Sequence, residues 1–319
     1  MSFRPLIRNP VFPVAGFLGL LLLSLYIAFR PPKDFPIEQF VVIPGGTTVR
    51  SAAMILKDGH VISQESAFIL LVSLFSPNGV KAGTYALKEP ESLSDIAWRF
   101  SFADFHLIPV RITVPEGSMV EDIKKLCVSL LPNCKAKEFL TLTAGKEGYL
   151  FPDTYVFPPT AGARDIVALM EENFNKKIAS ISDEVKSFGK SLKDVVIMAS
   201  IIEAEARTPE TRRLVSGILW RRMSLGIPLQ VDAGFRYING KDSYSLVTED
   251  LSIDSPYNTY LYKGLPIGPI NNPGLDALLA AIQPTKSPYL YYLTDKAGNF
   301  YFAKTHDEHV LNKEKYLGM

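Results

Sequence analysis

Glu203 and Glu205 close a helical pattern that is apolar almost all round: Leu192, Val195, Val196, Ile197, Met198, Ala199, Ile201 and Ile202. A helix apolar on every side is buried, and an acid within it needs a partner or a purpose. The strongest stripe runs through Leu192, Val195, Ala199, Ile202 and Ala206. At about 100° per residue, Glu203 lies about 60° from its centre and Glu205 about 100° away on the other side. Glu203 is therefore expected to be the more desolvated, with a raised pKa that keeps its proton near neutrality. A protonated carboxyl is what a general acid acting on a glycosidic oxygen requires. The structural alternative pairs both glutamates with Arg207, Arg212 or Arg213.

A long stretch further on, Tyr257 to Gly274, is poor in periodicity and rich in Tyr, Asn, Pro and Gly. Ser255-Pro-Tyr-Asn-Thr-Tyr260 and Gly264-Leu-Pro-Ile-Gly-Pro-Ile-Asn-Asn-Pro-Gly274 offer rings and amides on stiff turns, the surface that binds sugars. Gln230 and Asp232 add polar groups. A proline-stiffened structural loop is the competing reading. Ser187-Phe-Gly-Lys190 has the spacing of a serine peptidase nucleophile and base, but no Lys-Thr-Gly accompanies it, since Lys304-Thr305 is followed by His306. The four histidines are scattered, and His306 and His309 read as surface residues rather than metal ligands.

Several elements must hold these groups. Ser191 to Asp194 is a capping start for the glutamate helix, and Thr208-Pro209-Glu210 begins another that ends near Gly226. Tyr289 to Thr294, a turn at Asp295 to Asn299, and Phe300 to Ala303 read as a hairpin. Upstream, Val42 to Val49 repeats at Thr113 to Val120: a short strand, a turn, a Thr or Ser suited to cap a helix, then a helical pattern. Residues 38–115 thus read as a compact α+β module. Its strand–helix–helix–strand order from 40 to 87 resembles the LysM type of glycan-binding module.

The N-terminus differs. Val11 to Phe29 is nineteen residues without a charge, about the length a helix needs to cross the hydrocarbon layer. An uncleaved single-pass anchor is expected at 11–29, after a short cytoplasmic leader (1–10) and before a proline-rich linker (30–37). No later stretch is long and apolar enough to span, so the body is expected outside the cytoplasm. Overall charge is near balance, 34 basic against 33 acidic residues, which excludes the basic excess of a nucleic-acid binder. Cys127 and Cys134 enclose a short loop and suit a local disulfide in an oxidising compartment, with two free thiols as the alternative.

From anchor to C-terminus the chain resembles the MltG (YceG-like) family of endolytic murein transglycosylases. The resemblance rests on Glu147-Gly-Tyr-Leu-Phe-Pro-Asp-Thr-Tyr155, Ala199-Ser-Ile-Ile-Glu203-Ala-Glu205, Leu229-Gln-Val-Asp232, Tyr257-Asn-Thr-Tyr260, Gly264-Leu-Pro266, Gly268-Pro-Ile270, Asn272-Pro-Gly274 and Thr305 to His309. It implies an α+β protein in which an anchor and a LysM-like module precede a larger mixed α/β catalytic domain (116–319) with one essential glutamate, carried here to Glu203. Gln230, Asp232, Tyr257, Asn258, Tyr260 and Glu205 are expected to line the sugar cleft. The implied substrate is peptidoglycan, cleaved without a cofactor by an enzyme held in the bacterial cytoplasmic membrane with its catalytic body outside the cytoplasm, and wall-elongation synthases of the penicillin-binding kind are the implied partners. The chain departs from the family at Ala204, Ala233, Ile267 and Phe300. A hydrolase of the same bond, with Asp232 or Glu205 activating water, and a non-catalytic glycan-binding scaffold remain the alternatives.

Overall fold

The structure, a computed structural model, describes Ser24, Tyr26 and residues 29–241, 245–295 and 297–318. The expected anchor therefore falls almost wholly outside the described residues. Among those described, no helix is long and apolar enough to cross a membrane. The chain divides into two compact units, Met1–Ile108 and Pro109–Met319. Both are α+β, and among the described residues every sheet is an antiparallel pair.

In the first unit, β1 (Gln39–Ile43) pairs with β2 (Gly83–Leu87), Val41 opposite Tyr85. Between them lie α1 (Val49–Asp58) and α2 (Glu65–Phe75), and α3 (Leu93–Phe102) follows. The caps are those the sequence indicates. Thr48 accepts the Ser51 N–H at 3.1 Å, and Ser92 accepts that of Asp95 at 3.2 Å. The core gathers Leu56, Phe68, Val72, Tyr85, Ile96 and Phe100, with Tyr85 stacked on Phe100 at 3.7 Å. Phe29 and Phe35, on either side of the expected linker's start, pack on this same core.

The second unit begins with β3 (Val110–Thr113), which the sequence reading assigned to the upstream module. It belongs here because its partner is β4 (Thr154–Phe157), Ile112 opposite Tyr155. With α4 (Val120–Leu130), α5 (Ala136–Leu142) and α6 (Ala163–Ser180), these strands enclose one core, and a Cys127–Cys134 disulfide closes the α4–α5 corner. In the second copy of the repeat, Ser118 does not cap its helix. Its hydroxyl donates to the Pro115 carbonyl at 2.6 Å, leaving the first N–H of α4 for a distant partner.

The larger core surrounds α8 (Leu192–Glu205), reached through α7 (Ser182–Phe188). Every residue of α8 from Val195 to Ile202 is buried. It packs on α9 (Pro209–Ser224), which Thr208 caps, and on α11 (Leu275–Ile282). Between α9 and α11 come α10 (Gly234–Asn239), a 3-10 turn (Thr248–Ser252) and the irregular run to Gly274. The expected hairpin is present as β5 (Tyr291–Thr294) and β6 (Phe300–Ala303), Leu293 opposite Tyr301, followed by α12 (His306–Leu317).

Candidate active site

The last turn of α8 is pinned before it ends. Ser200 accepts the Ile270 N–H at 3.1 Å, and the Asn271 amide donates to the Ser200 carbonyl at 2.8 Å. That contact delivers the 270–274 segment to the two glutamates. They lie two residues apart and so leave the helix in nearly opposite directions.

Glu203 faces α9 and α11. Its Oε1 accepts from Arg212 Nη2, and its Oε2 accepts the Gly274 N–H at 3.0 Å. The side chain is 6% exposed. Arg212 also donates to Asp276 at 3.0 Å and to the Ala206 carbonyl at 3.0 Å, with a Glu116 oxygen 3.9 Å away. One guanidinium thus serves three carboxyl groups. Burial pushes the pKa of Glu203 up, the Gly274 N–H and Arg212 pull it back, and the charges of Glu116 and Asp276 add to the rise. A Cβ at 274 would lie 1.9 Å from Glu116 Oε1, so a larger residue there would have to push that half-exposed carboxyl group aside. The pairing expected as the structural alternative is therefore present at Glu203, with Arg212 as the partner.

Glu205 faces the hairpin and the start of α10. Burial pushes its pKa to about 7; the Tyr292 hydroxyl lowers it, the charge of Asp232 raises it, and the Ala233 N–H lowers it. Tyr292 donates to Oε2 at 3.0 Å. The sequence arithmetic made Glu203 the more desolvated acid. The structure gives both glutamates a desolvation rise, but the ring of Tyr292 and the 230–233 segment cover the side of α8 that the helix pattern alone left open.

Around Glu205 stand several of the expected cleft residues. Tyr260 donates to Asp232 at 2.5 Å, and Arg222 Nη2 donates to Gln230 Oε1 at 2.6 Å. Gln230 holds a left-handed backbone (φ 51°) while its N–H reaches the Thr259 carbonyl at 3.1 Å. The 230–232 and 257–260 segments are thus stitched together beside the acid. Tyr257 lies against Tyr237 of α10, ring centres 4.7 Å apart. Asn258 is placed differently. It is 1% exposed, its amide donates to the Leu251 and Ile253 carbonyls at 3.0 and 2.9 Å, and its oxygen accepts the Tyr260 N–H. It shapes the loop from beneath.

Three contributors went unassigned in the sequence. Arg222, 5% exposed, and Tyr292 had as their signal a charge inside the apolar face of a helix and a hydroxyl inside a strand. The third is Glu147. Both its oxygens accept the Val120 N–H at 3.2 Å, filling the place Ser118 leaves, and Oε1 also accepts from the Asn272 amide at 2.9 Å. Burial pushes Glu147 up to about 7. Its only sequence signal is its place at the head of Gly148-Tyr-Leu-Phe-Pro.

Other sequence features stay apart from this cluster. Ser187 is exposed, and Lys190 reaches over the Trp220 ring at 5.5 Å. His306 is exposed, whereas His309 is half-buried, stacked on Tyr291 at 5.3 Å, and pushed down to about 4 by burial. Among the described residues, no group of three or more His, Cys, Asp or Glu is arranged to hold a metal ion.

Residues 41–315 match the profile of the YceG-like family. The chain is 33% identical over 312 residues to the endolytic murein transglycosylase of Bacillus subtilis (strain 168), covering 89% of this chain and 86% of that protein. It is 25% identical over 351 residues to the endolytic murein transglycosylase of Streptococcus pneumoniae serotype 2, covering 94% of this chain and 64% of that one. Its structure is similar to the 2.6 Å crystal structure of a putative yceG-like protein from Listeria monocytogenes, with a TM-score of 0.59 and 29% identity over 86% of this chain and 98% of the other.

Proposed function

Because this chain belongs to the YceG-like family, we propose that it is an endolytic murein transglycosylase. It cleaves the bond between N-acetylmuramic acid and N-acetylglucosamine in peptidoglycan and leaves 1,6-anhydro ends. The observation that carries this reading is a desolvated carboxyl, Glu205, poised at about pH 7 beside Asp232, Tyr260 and Gln230. Glu203 was the expected acid. Its pKa is raised as well, but its Oε1 faces the Arg212 guanidinium, which favours the carboxylate, whereas the donors on Glu205 are the neutral Tyr292 hydroxyl and Ala233 N–H; the proton transfer is therefore assigned here to Glu205.

In the first step protonated Glu205 gives its hydrogen to the oxygen leaving C1 of the muramic acid, and the C1–O bond breaks. The Glu205 carboxylate then takes the proton of that sugar's C6 hydroxyl as O6 bonds to C1. One carboxyl does both steps and no water is consumed, unlike the paired carboxylates of ordinary glycosidases. Asp232, close enough to raise Glu205's pKa, helps it keep the proton for the first step. Tyr292 steadies the carboxylate formed in between. Gln230, Tyr257 and Tyr260 orient the sugar, and Asn258 sets the loop that presents the two tyrosines.

The test is digestion of purified sacculi followed by mass analysis of the products. Glu205→Gln should lose about 10²–10⁴-fold of the rate, the usual contribution of a general acid. Glu203→Gln should lose less and mainly stability. Activity surviving in Glu205→Gln but not in Glu203→Gln would return the role to Glu203. Reducing rather than anhydro ends would mean that water is the nucleophile.

The finer features are proposed with it. The apolar stretch 11–29 anchors the chain in the cytoplasmic membrane with the body outside, where glycan strands are new and close by. The first unit is LysM-like, a reading its antiparallel β1–α1–α2–β2 order supports, and it holds glycan. Synthases of the elongating wall are the partners that product chemistry calls for.

A further inference from the structure

The first unit carries an exposed apolar surface on two of its helices. Eight of the eleven residues of α2 are apolar, yet only Phe68 and Val72 are buried. A helix greasy on all sides belongs inside a protein or a membrane. Leu70 and Leu74, one turn apart, are 62% and 72% exposed. On α3, Trp98 and Phe102, also one turn apart, are 54% and 49% exposed. The two faces join. Trp98 meets Phe75 of α2 edge-on at 5.6 Å and Phe102 at 4.3 Å. At about 100° per residue, Leu71 falls between Leu74 and Phe75 and closes the gap.

The charges of these helices are engaged elsewhere. Glu65 pairs with Lys57 at 2.8 Å, Asp95 binds the Ser92 hydroxyl at 2.6 Å, and Arg99 is buried against Glu91. Exposed apolar patches of this kind mark a contact surface. Its occupant is indicated by the chain itself. The uncharged run 11–29 ends at Phe29, and Phe29 and Phe35 both pack on this unit's core. No slack tether separates the run from the unit, so if the run is in the bilayer the unit sits at its surface. Trp and Phe beside leucines are the side chains that settle at a membrane interface.

We propose that the α2–α3 face of the first unit, centred on Leu70, Leu74, Trp98 and Phe102, lies against the outer surface of the bilayer. The inference rests on the anchored reading above. Docking there holds the unit in one orientation instead of letting it swing from the anchor.

The chain has two tryptophans, Trp98 and Trp220, which makes a direct experiment possible. The full chain is reconstituted into phosphatidylcholine–phosphatidylglycerol vesicles with bromine on the acyl chains near the headgroup. In Trp220→Phe, where Trp98 is the sole indole and is excited selectively at the long-wavelength edge beyond tyrosine absorption, bromine should quench its emission about twofold or more, as expected of an indole at headgroup depth. In Trp98→Phe, the remaining Trp220 should be unaffected. Leu70→Gln with Leu74→Gln, both exposed positions whose change spares the core, should cut the Trp98 quenching while the protein still floats with the vesicles. A chain that floats with Trp98 unquenched overturns the docking alone. Trp98 shielded only as protein concentration rises also overturns it, in favour of a second copy as occupant. A chain that does not float overturns both the docking and the anchor.

Discussion

Tyr292 and Glu205 together set the pH range in which the proposed acid is useful. Glu205 titrates near 7, so activity that needs its proton should fall as pH rises through neutrality. The Tyr292 hydroxyl stabilises the carboxylate. Tyr292→Phe should therefore raise the pKa by about 1–2 units, the worth of one hydrogen bond to a charge. The expected outcome is a kcat/KM profile displaced to higher pH, read on soluble glycan strands. Arg212→Met tests the other acid. It strips the guanidinium from Glu203 and Asp276 and should cost about 3–5 kcal/mol in urea unfolding, the penalty for leaving buried charge unpaired. At this scale the sequence was legible in part. The acids on a buried helix were evident, as were Asp232, Gln230 and Tyr260. Which glutamate faces a cation was not, because azimuth on α8 is blind to where α9 sends Arg212, nine residues on from Glu203.

At the scale of elements, Asn272 ties the two cores of the second unit together. Its side chain donates to the Ser118 carbonyl and to Glu147, each at 2.9 Å, and accepts the Leu150 N–H at 2.9 Å. Its backbone bridges Ser118 and Gly117. It is fully buried. Asn272→Ala would orphan the buried Leu150 N–H and take one donor each from the Ser118 carbonyl and Glu147, and should cost about 3 kcal/mol, measured by the shift in urea midpoint at constant m-value. Helix starts at Thr48, Ser92, Ser191 and Thr208 were readable because a cap and its N–H are three residues apart. The start of α4 was not, since its acceptor, Glu147, is twenty-seven residues away. The same limit hid the pairing of β3: a strand shows its own pattern, but its partner β4 is some forty residues on. The hairpin of β5 and β6, with its partners adjacent, was plain.

For the whole molecule, the raised acids predict an unusual stability profile. Glu147 and Glu205 bind protons in the folded state up to about pH 7 but in the unfolded chain only to the ordinary carboxyl value of 4.5. Their contribution is thus fully present below about pH 4.5 and is lost as pH climbs through 7. Asp250 and Asp295 have lowered values, through Lys241 and Asn299 respectively, and their contribution is lost as pH falls below the usual aspartate range. Tm should peak on the mildly acidic side and decline toward pH 8, a trend that Glu147→Gln should flatten in differential scanning calorimetry. The disulfide adds a second condition. A loop this short stabilises by about 2 kcal/mol through the unfolded chain, so a thiol reductant should lower Tm. Protein harvested from a reducing cytosol would carry Cys127 and Cys134 unlinked. Heat resistance measured on such a preparation would understate that of the oxidised chain, and a brief treatment with a glutathione redox buffer before assay would restore it.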